Sequence, residues 1–296
     1  MSAIEGSSEN PASTSKEVVG PSISTPPPLT IPEKLTSSVF GIHNPPKDWA
    51  DISLLVPHEC IRREEKSMLA SIDKLRDLVE AKSAKSWQVL YFCQWFTELF
   101  VPFIHEHHDV EERLYFPWLQ TKVVIPEKQF AKGHEDLVAL LDELNAICKQ
   151  VVKKQGIECD GEVLDLQKKM HFFVAEMNEH LMEEERDIPP LARKHFTEEE
   201  ERKLVEKIGR QEANFKLMRN VFPAIMESFK AWGTRELLDD FEKKFPGLLR
   251  HLSTKYWCPD YETCVRPKRD APFLDSEPLF TRVGCFGFSF CFPCII

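Results

Sequence analysis

The chain contains four long stretches in which apolar residues recur at alternating steps of three and four, the spacing of one face of an α-helix. These stretches run from about Pro57 to Val79, Ser86 to Gln120, Pro126 to Lys154 and Glu162 to Asp187. Pro102 is expected to bend the second helix, and Pro189 with Pro190 to end the fourth. No segment has a convincing strand pattern. The sequence therefore predicts an all-α fold, an antiparallel up-down four-helix bundle joined by short loops.

Segments of different composition flank the predicted bundle, which is assigned to residues 47–196. Residues 1–46 are rich in Ser, Thr and Pro, so they bury too little apolar surface to offset the entropy of ordering, and a disordered N-terminal tail is expected. Residues 197–257 carry further helical patterns and are predicted to form accessory helices. Residues 258–296 are assigned to a C-terminal tail that contains Cys and Phe.

Each of the four apolar faces is interrupted by one histidine, namely His58, His107, His134 and His180. Two of these faces also carry a glutamate four residues later, which gives the pairs His107/Glu111 and His180/Glu184. Residues four apart stand one above the other on a helix, so both side chains can reach one centre. A buried carboxylate is costly unless it is paired or bound to a metal, so these faces demand a cation.

The four histidines are also predicted to lie at one height. At a rise of ~1.5 Å per residue, each lies ~27–33 Å along its helix from the turn that joins it to its neighbour. Four imidazoles and two carboxylates suit iron, manganese or zinc rather than calcium or magnesium, and two bridging carboxylates favour a pair of ions ~3.5–4 Å apart. The predicted metal ligands are His58, His107, Glu111, His134, His180 and Glu184.

A second pair in the same helix, His108/Glu112, has the same spacing as His107/Glu111. Its face would carry Val101, His105 and Tyr115, which is more polar than the face of Phe100, Ile104 and Leu114 shared by the preferred pair. We therefore place His108 at the rim, beside His105, Glu106 and Asp109. His108 as an additional or alternative ligand stays open at this point.

Composition narrows the possible partners and compartment. The net charge of -10 disfavours nucleic acid, since phosphate binding needs clustered Lys and Arg. Nine cysteines without a disulfide-like pattern or a secretory signal fit a reducing compartment, so a cytoplasmic location is expected. No run reaches the ~20 apolar residues of a membrane-spanning helix.

The C-terminal tail offers an alternative to a purely cytoplasmic protein. Cys285, Cys291 and Cys294 lie among Phe residues in the last fourteen residues. S-acylation of these cysteines would attach the protein peripherally to a membrane, and stable attachment takes two or more lipids. The other interpretation is a tail that folds back onto the domain.

The motifs resemble those of the hemerythrin-like (HHE cation-binding) family over about residues 50–195. The resemblance rests on His107–Glu112 followed by Leu114–Pro117, on Gly133–Asp136, and on His180–Glu185 with Pro190 six residues after Glu184. His58 fits the ligand of the first helix. The resemblance implies a four-helix bundle with two non-haem irons, bridged by Glu111, by Glu184 and by an oxo or hydroxo group.

One departure from the oxygen-carrying members bears on function. Those members have a fifth histidine, in a His-x3-His pair on the third helix, whereas Val138 and Phe130 occupy the two positions four residues from His134. The resemblance thus points to the iron-repair, nitric-oxide-handling and sensing members. We expect a metal-binding protein that meets oxygen, nitric oxide or peroxide. A di-iron oxidoreductase and a membrane-tethered interaction module are the alternatives.

Overall fold

The computed structural model describes residues 48–125, 127–211, 215–243 and 247–280, and no strand occurs in these ranges. The helices of the first part of the chain are α1 (Trp49–Glu80), α2 (Ser86–Trp95), α3 (Val101–Val110), α4 (Phe116–Gln120), α5 (Glu127–Lys153) and α6 (Asp160–His195). The later helices are α7 (Glu198–Gln211), α8 (Phe215–Trp232), α9 (Arg235–Lys243), α10 (Gly247–Leu252), α11 (Cys258–Asp260) and α12 (Arg266–Arg269). The predicted all-helical class is therefore confirmed for these ranges.

Helix α1 begins two turns before the predicted start at Pro57. Asp48 caps it, because its side chain accepts a hydrogen bond of 2.8 Å from the backbone N–H of Ala50. Pro57 lies inside the helix rather than in its first turn. Buried residues above and below Pro57 hold the segment in place, so packing offsets the backbone hydrogen bond that proline cannot make.

The second predicted helix is continuous from residue 86 to 120 but changes its hydrogen bonding twice. Two π-helical turns, Phe96–Phe100 and Glu111–Tyr115, separate α2, α3 and α4. Each π-helical turn is followed at the second position by a proline, Pro102 or Pro117. Proline cannot donate to the carbonyl four residues back and crowds it, so a wider turn at that carbonyl relieves the clash. The hydrogen bonding of this helix thus changes just before Pro102 and just before Pro117, and we refer to residues 86–120 as the segmented helix.

The prediction that Pro189 and Pro190 end the fourth helix was wrong. Helix α6 continues through both prolines to His195. Ile188 and Ala192 are fully buried in an apolar cluster with Ala50 and Leu119. This packing retains the helix even though two backbone donors are missing.

The long helices pack around a common apolar core. Helix α1 lies against α6, α6 against α5, and α5 and α1 against α2. The core is filled by fully buried aromatic and aliphatic side chains, among them Phe92, Phe100, Phe173 and Met177.

The later helices cover the outside of α1 and α2. Helix α8 packs against α1. Residues 258–280, assigned from sequence to the tail, include α11, α12 and a short 3-10 turn, Ala271–Phe273. The side chain of Gln88 in α2 donates to the carbonyl of Leu274 at 3.1 Å, and Tyr91 donates to Glu277. Helical structure therefore extends beyond residue 257 as far as the 3-10 turn.

Two expectations concern residues outside the described ranges. These are the disordered tail, residues 1–46, and the S-acylated cysteines Cys285, Cys291 and Cys294. None of the helices in the described ranges has the length and apolar composition that crossing a bilayer requires.

Candidate metal centre

Histidines and glutamates from four helical segments converge on one buried point. Helix α1 contributes His58, the segmented helix His107, His108 and Glu111, helix α5 His134, and helix α6 His180 with Glu184. All seven side chains are buried, and His58 and Glu184 are fully so. The six residues predicted as metal ligands therefore lie together, with His108 as a seventh member.

The two carboxylates lie between the imidazoles in the same way. Oε1 of Glu111 is 3.7 Å from Nε2 of His58, and its Oε2 is 3.6 Å from Nε2 of His134. Oε2 of Glu184 is 3.5 Å from Nε2 of His58, and its Oε1 is 3.5 Å from Nε2 of His134. Each carboxylate therefore directs one oxygen toward His58 and the other toward His134, the arrangement of a group that bridges two positions.

The remaining imidazoles each lie next to one of these carboxylate oxygens. Nε2 of His107 is 3.5 Å from Oε2 of Glu111, and Nε2 of His180 is 3.4 Å from Oε1 of Glu184. Such distances are too long for hydrogen bonds. Two atoms that each lie ~2.1 Å from one ion, at a tetrahedral angle, are ~3.4 Å apart. The spacing thus fits atoms that share a metal ion.

Unpartnered buried atoms provide the test of whether a metal fits. No hydrogen-bond partner exists in the described structure for Nε2 of His58, His107, His134 and His180, for Oε2 of Glu111, or for either carboxylate oxygen of Glu184. Leaving so many buried polar atoms unpaired would cost ~1–3 kcal/mol each. A metal cation would satisfy them together, so the residues fit the group that the sequence predicts.

Two further carboxylates contact Nδ1 of two of the imidazoles. Nδ1 of His58 lies 2.9 Å from Oε1 of Glu185, and Nδ1 of His134 lies 3.0 Å from Oε1 of Glu112. A carboxylate on the far nitrogen fixes the ring orientation and leaves Nε2 to bind a metal. Neither role was predicted from the sequence. The available signal was their position, since each directly follows a predicted bridging glutamate.

Glu185 belongs to a buried polar network that ties α1 to α6. Nη1 of Arg62 donates to Glu185 at 2.7 Å and to Glu59 at 2.9 Å. Nε of Arg62 also donates to the side-chain oxygen of Asn178 at 3.2 Å, and Asn178 donates to Glu65 at 2.8 Å. The network fixes the two helices that supply His58, His180 and Glu184.

Burial and charge set the protonation of the metal-free centre. Burial lowers the pKa of His58 and of His134, but the adjacent carboxylates outweigh burial and raise both to about 9. Burial and the surrounding imidazoles hold the pKa of His107 and His108 well below the usual value. A metal needs neutral imidazoles and ionised carboxylates, so its binding would release the protons that His58 and His134 retain.

The two histidines that were predicted to lie at the rim of the site differ in their exposure. His105, placed at the rim, lies partly exposed, with Nε2 3.2 Å from Oδ1 of Asp142. His108 was also placed at the rim but is buried next to His134 and His180. Val101 and Tyr115, which share the face of His108, are buried as well.

Comparison with known proteins agrees with this site. The model of the family described as the hemerythrin HHE cation binding domain matches residues 56–192. Comparison with curated proteins and with solved structures gave no significant match. The matched span contains every histidine and glutamate of the cluster, which supports metal-cation binding. Residues 56–192 of this chain therefore match the hemerythrin HHE cation binding domain.

Proposed function

We propose that the domain is an antiparallel up-down four-helix bundle that holds two iron ions in its interior. The ligands are His58, His107, Glu111, His134, His180 and Glu184. The observation that carries the proposal is the set of buried nitrogens and oxygens without partners, spaced at 3.4–3.7 Å around two positions. The imidazole and carboxylate donors suit iron, with manganese or zinc as the other candidates.

Neighbouring side chains of the protein would orient the ligands before a metal ion binds. Glu185 and Glu112 hold the rings of His58 and His134 with Nε2 facing inward. The apolar core that adjoins the layer keeps bulk water from the carboxylates and strengthens their attraction for a cation. When bound, a pair of iron ions supplies redox chemistry and coordination positions for small molecules.

The proposed ligand is oxygen, nitric oxide or peroxide, and the proposed role is sensing, storage or scavenging of that ligand. Burial of every metal-facing group favours a molecule of two or a few atoms, because a larger substrate could not reach the centre without opening the bundle. The domain assignment and the donor set support this proposal.

Iron reconstitution tests the proposal. Metal-free full-length protein is given ferrous iron without oxygen, desalted and analysed for iron, and we expect about two ions per chain. Separate samples then receive oxygen, nitric oxide or peroxide while the ultraviolet and visible spectrum is recorded. Less than one iron per chain would contradict the metal site. Two irons without a spectral response to any of the three molecules would contradict the proposed ligands.

We also propose that S-acylated Cys285, Cys291 and Cys294 hold the protein at a membrane surface. The support is their clustering among aromatic residues near the C-terminus. Membrane fractionation of the wild type and of the Cys285→Ser/Cys291→Ser/Cys294→Ser variant in cells tests this idea. Equal partition of the two proteins would refute it, whereas loss of the variant from the membrane fraction is expected.

A further inference from the structure

His108 lies within the cluster but has no place in the six-ligand set. One ligand nitrogen from each of His108, His134 and His180 lies within 4.8 Å of the other two. A second group with the same spacing consists of His58, His107, Glu111 and Glu184. The imidazoles thus divide into a set of three and a set of two, with the two carboxylates between them.

Neither nitrogen of the His108 ring has a hydrogen-bond partner in the described structure, although the residue is only 2 % exposed. A neutral imidazole carries one donor and one acceptor. Burying both without partners costs ~1–3 kcal/mol for each group, and an apolar side chain would avoid this cost. An imidazole at this position therefore requires an explanation that packing alone does not give.

The ring lies against the rings of its neighbours. It stacks on the ring of His134, with centroids 4.3 Å apart and planes at 16°, and meets the ring of His180 edge-on at 5.6 Å. His107 precedes it in the chain, and its ring centroid is 5.4 Å away. Successive residues of a helix point in directions ~100° apart, so one helix can direct His107 and His108 to different positions.

We propose that His108 is a fifth imidazole ligand, which binds one metal ion together with His134 and His180, while His58 and His107 bind the other. Glu111 and Glu184 would hold both ions through their carboxylate oxygens. This inference rests on the proposed function, because it assigns a further residue to the same centre. It places the additional histidine on the segmented helix, whereas Val138 stands at the third-helix position of the oxygen-carrying members.

The test compares His108→Leu with wild type, using ferrous iron as the probe. Leucine fills similar space without a ligand nitrogen, so the metal-free variant should be as stable as wild type or more so. The ion bound by His134 and His180 should bind at least about 100-fold more weakly, since even supporting residues cost 10–100-fold. The protein should then retain about one iron after desalting, and iron should raise its melting temperature less.

His171→Leu is the matched control. His171 is another buried histidine of α6, and its Nε2 lies 2.9 Å from Oδ1 of Asp73. Its loss should lower the melting temperature with and without iron and leave the iron count unchanged. This control separates the loss of any buried imidazole from the loss of a ligand.

Each result decides one question. Suppose that wild type and His108→Leu both bind two irons, with equal affinity and the same rise in melting temperature. This result would overturn the role of His108 but leave the proposed function intact. Wild type that binds no iron would overturn the proposed function itself. If His108→Leu does not fold, His108→Gln retains a polar side chain, and the same two measurements on it decide the question.

Discussion

The metal centre and a second cluster, formed by Glu64, Tyr261 and Arg269, bury their carboxylates equally deeply but satisfy them differently. Glu64 accepts a hydrogen bond from the hydroxyl of Tyr261 at 2.8 Å and from Nη1 of Arg269 at 2.9 Å. Both oxygens of Glu184, in contrast, lack a partner in the described structure. The first cluster is closed by the protein itself and serves to dock residues 258–280. Unsatisfied atoms, rather than burial, identify the site that needs a cation.

Glu65 shows a third way to bury a carboxyl group. It is fully buried next to Glu64 in sequence, yet its Oε1 has no partner and its Oε2 accepts only from Asn178. Burial raises its pKa to about 8 in spite of the nearby guanidinium of Arg62. Protonation therefore keeps Glu65 uncharged. At the metal centre a cation would neutralise the carboxylates, and Arg269 neutralises Glu64.

The largest effect is expected from Glu184→Gln. The amide has nearly the same shape but no negative charge and cannot bridge two ions through both atoms, so both irons should be lost. The effect on the metal-free protein should be smaller, since Glu184 makes no hydrogen bond there and only its charge, which faces the protonated His58 and His134, is removed. Iron analysis and thermal unfolding measure the two effects, and Glu183→Gln, one residue away and partly exposed, is the control. Retention of two irons by Glu184→Gln would remove the distinction between the clusters.

For Arg269→Met we expect a loss of stability without a loss of iron. Glu64 would be left buried without its counter-charge, which should lower the free energy of unfolding by about 3–5 kcal/mol. Iron content should not change, because this cluster is separate from the metal ligands. Denaturant unfolding of the metal-free protein provides the measurement. Lys268→Met, which removes the 2.8 Å ion pair with the exposed Glu98, should cost at most about 1 kcal/mol. Equal losses from both variants would show that Glu64 does not depend on Arg269.

The sequence predicts the residues of the metal centre but not those of the second cluster. The helical period placed His58, His107, Glu111, His134 and His180 on inward faces because all are interruptions of apolar stripes. The partners of Glu64 could not be predicted, since Tyr261 and Arg269 are about 200 residues away along the chain. Regular periodicity indicates which face is buried, but it does not identify the distant residue that meets it.

His108 was misplaced for a different reason, which lies in the backbone. The prediction assumed a regular α-helix from Ser86 to Gln120, in which the face of His107 and the face of His108 are not both buried. The π-helical turn Glu111–Tyr115 shifts the register, so that Leu114, Tyr115 and Phe116 are all buried. The face of His108 was judged too polar because it carries His105 and Tyr115, of which the structure buries Tyr115 and leaves His105 partly exposed. Pro117 was the signal for the wider turn, although prolines inside α1 and α6 produce none.

Glu65→Gln should change how stability depends on pH. The carboxyl group ionises near 4.5 in the unfolded chain and near 8 in the folded protein. Between these values only the unfolded chain loses the proton, so stability falls as pH rises and levels off above the folded pKa. The fall from about pH 5 to pH 9 should be on the order of 2–4 kcal/mol, at about 1.4 kcal/mol per tenfold change in proton affinity.

The amide of Glu65→Gln cannot ionise, so the variant should lack this fall and unfold at higher denaturant concentration than wild type at pH 9. Denaturant unfolding of metal-free protein across the pH range measures it, and Glu80→Gln, exposed at the end of the same helix, is the control. Parallel pH profiles for wild type and Glu65→Gln would show that Glu65 is not kept neutral by burial.

The smallest effect concerns the space around the metal centre rather than its charge. Gly133 lies in α5 next to His134, and a Cβ atom at this position would be 3.3 Å from Nδ1 of His180. Alanine favours helix over glycine by about 0.5–1 kcal/mol, so Gly133→Ala should stabilise the metal-free protein slightly. The ring of His180 would have to shift by a few tenths of an ångström, which should weaken iron binding by less than the ~10-fold cost of losing a supporting group. Gly161→Ala in α6 has open space around its Cβ and should bring stability without weakening iron binding. If Gly133→Ala bound iron as tightly as Gly161→Ala, the position of His180 would not depend on the missing side chain.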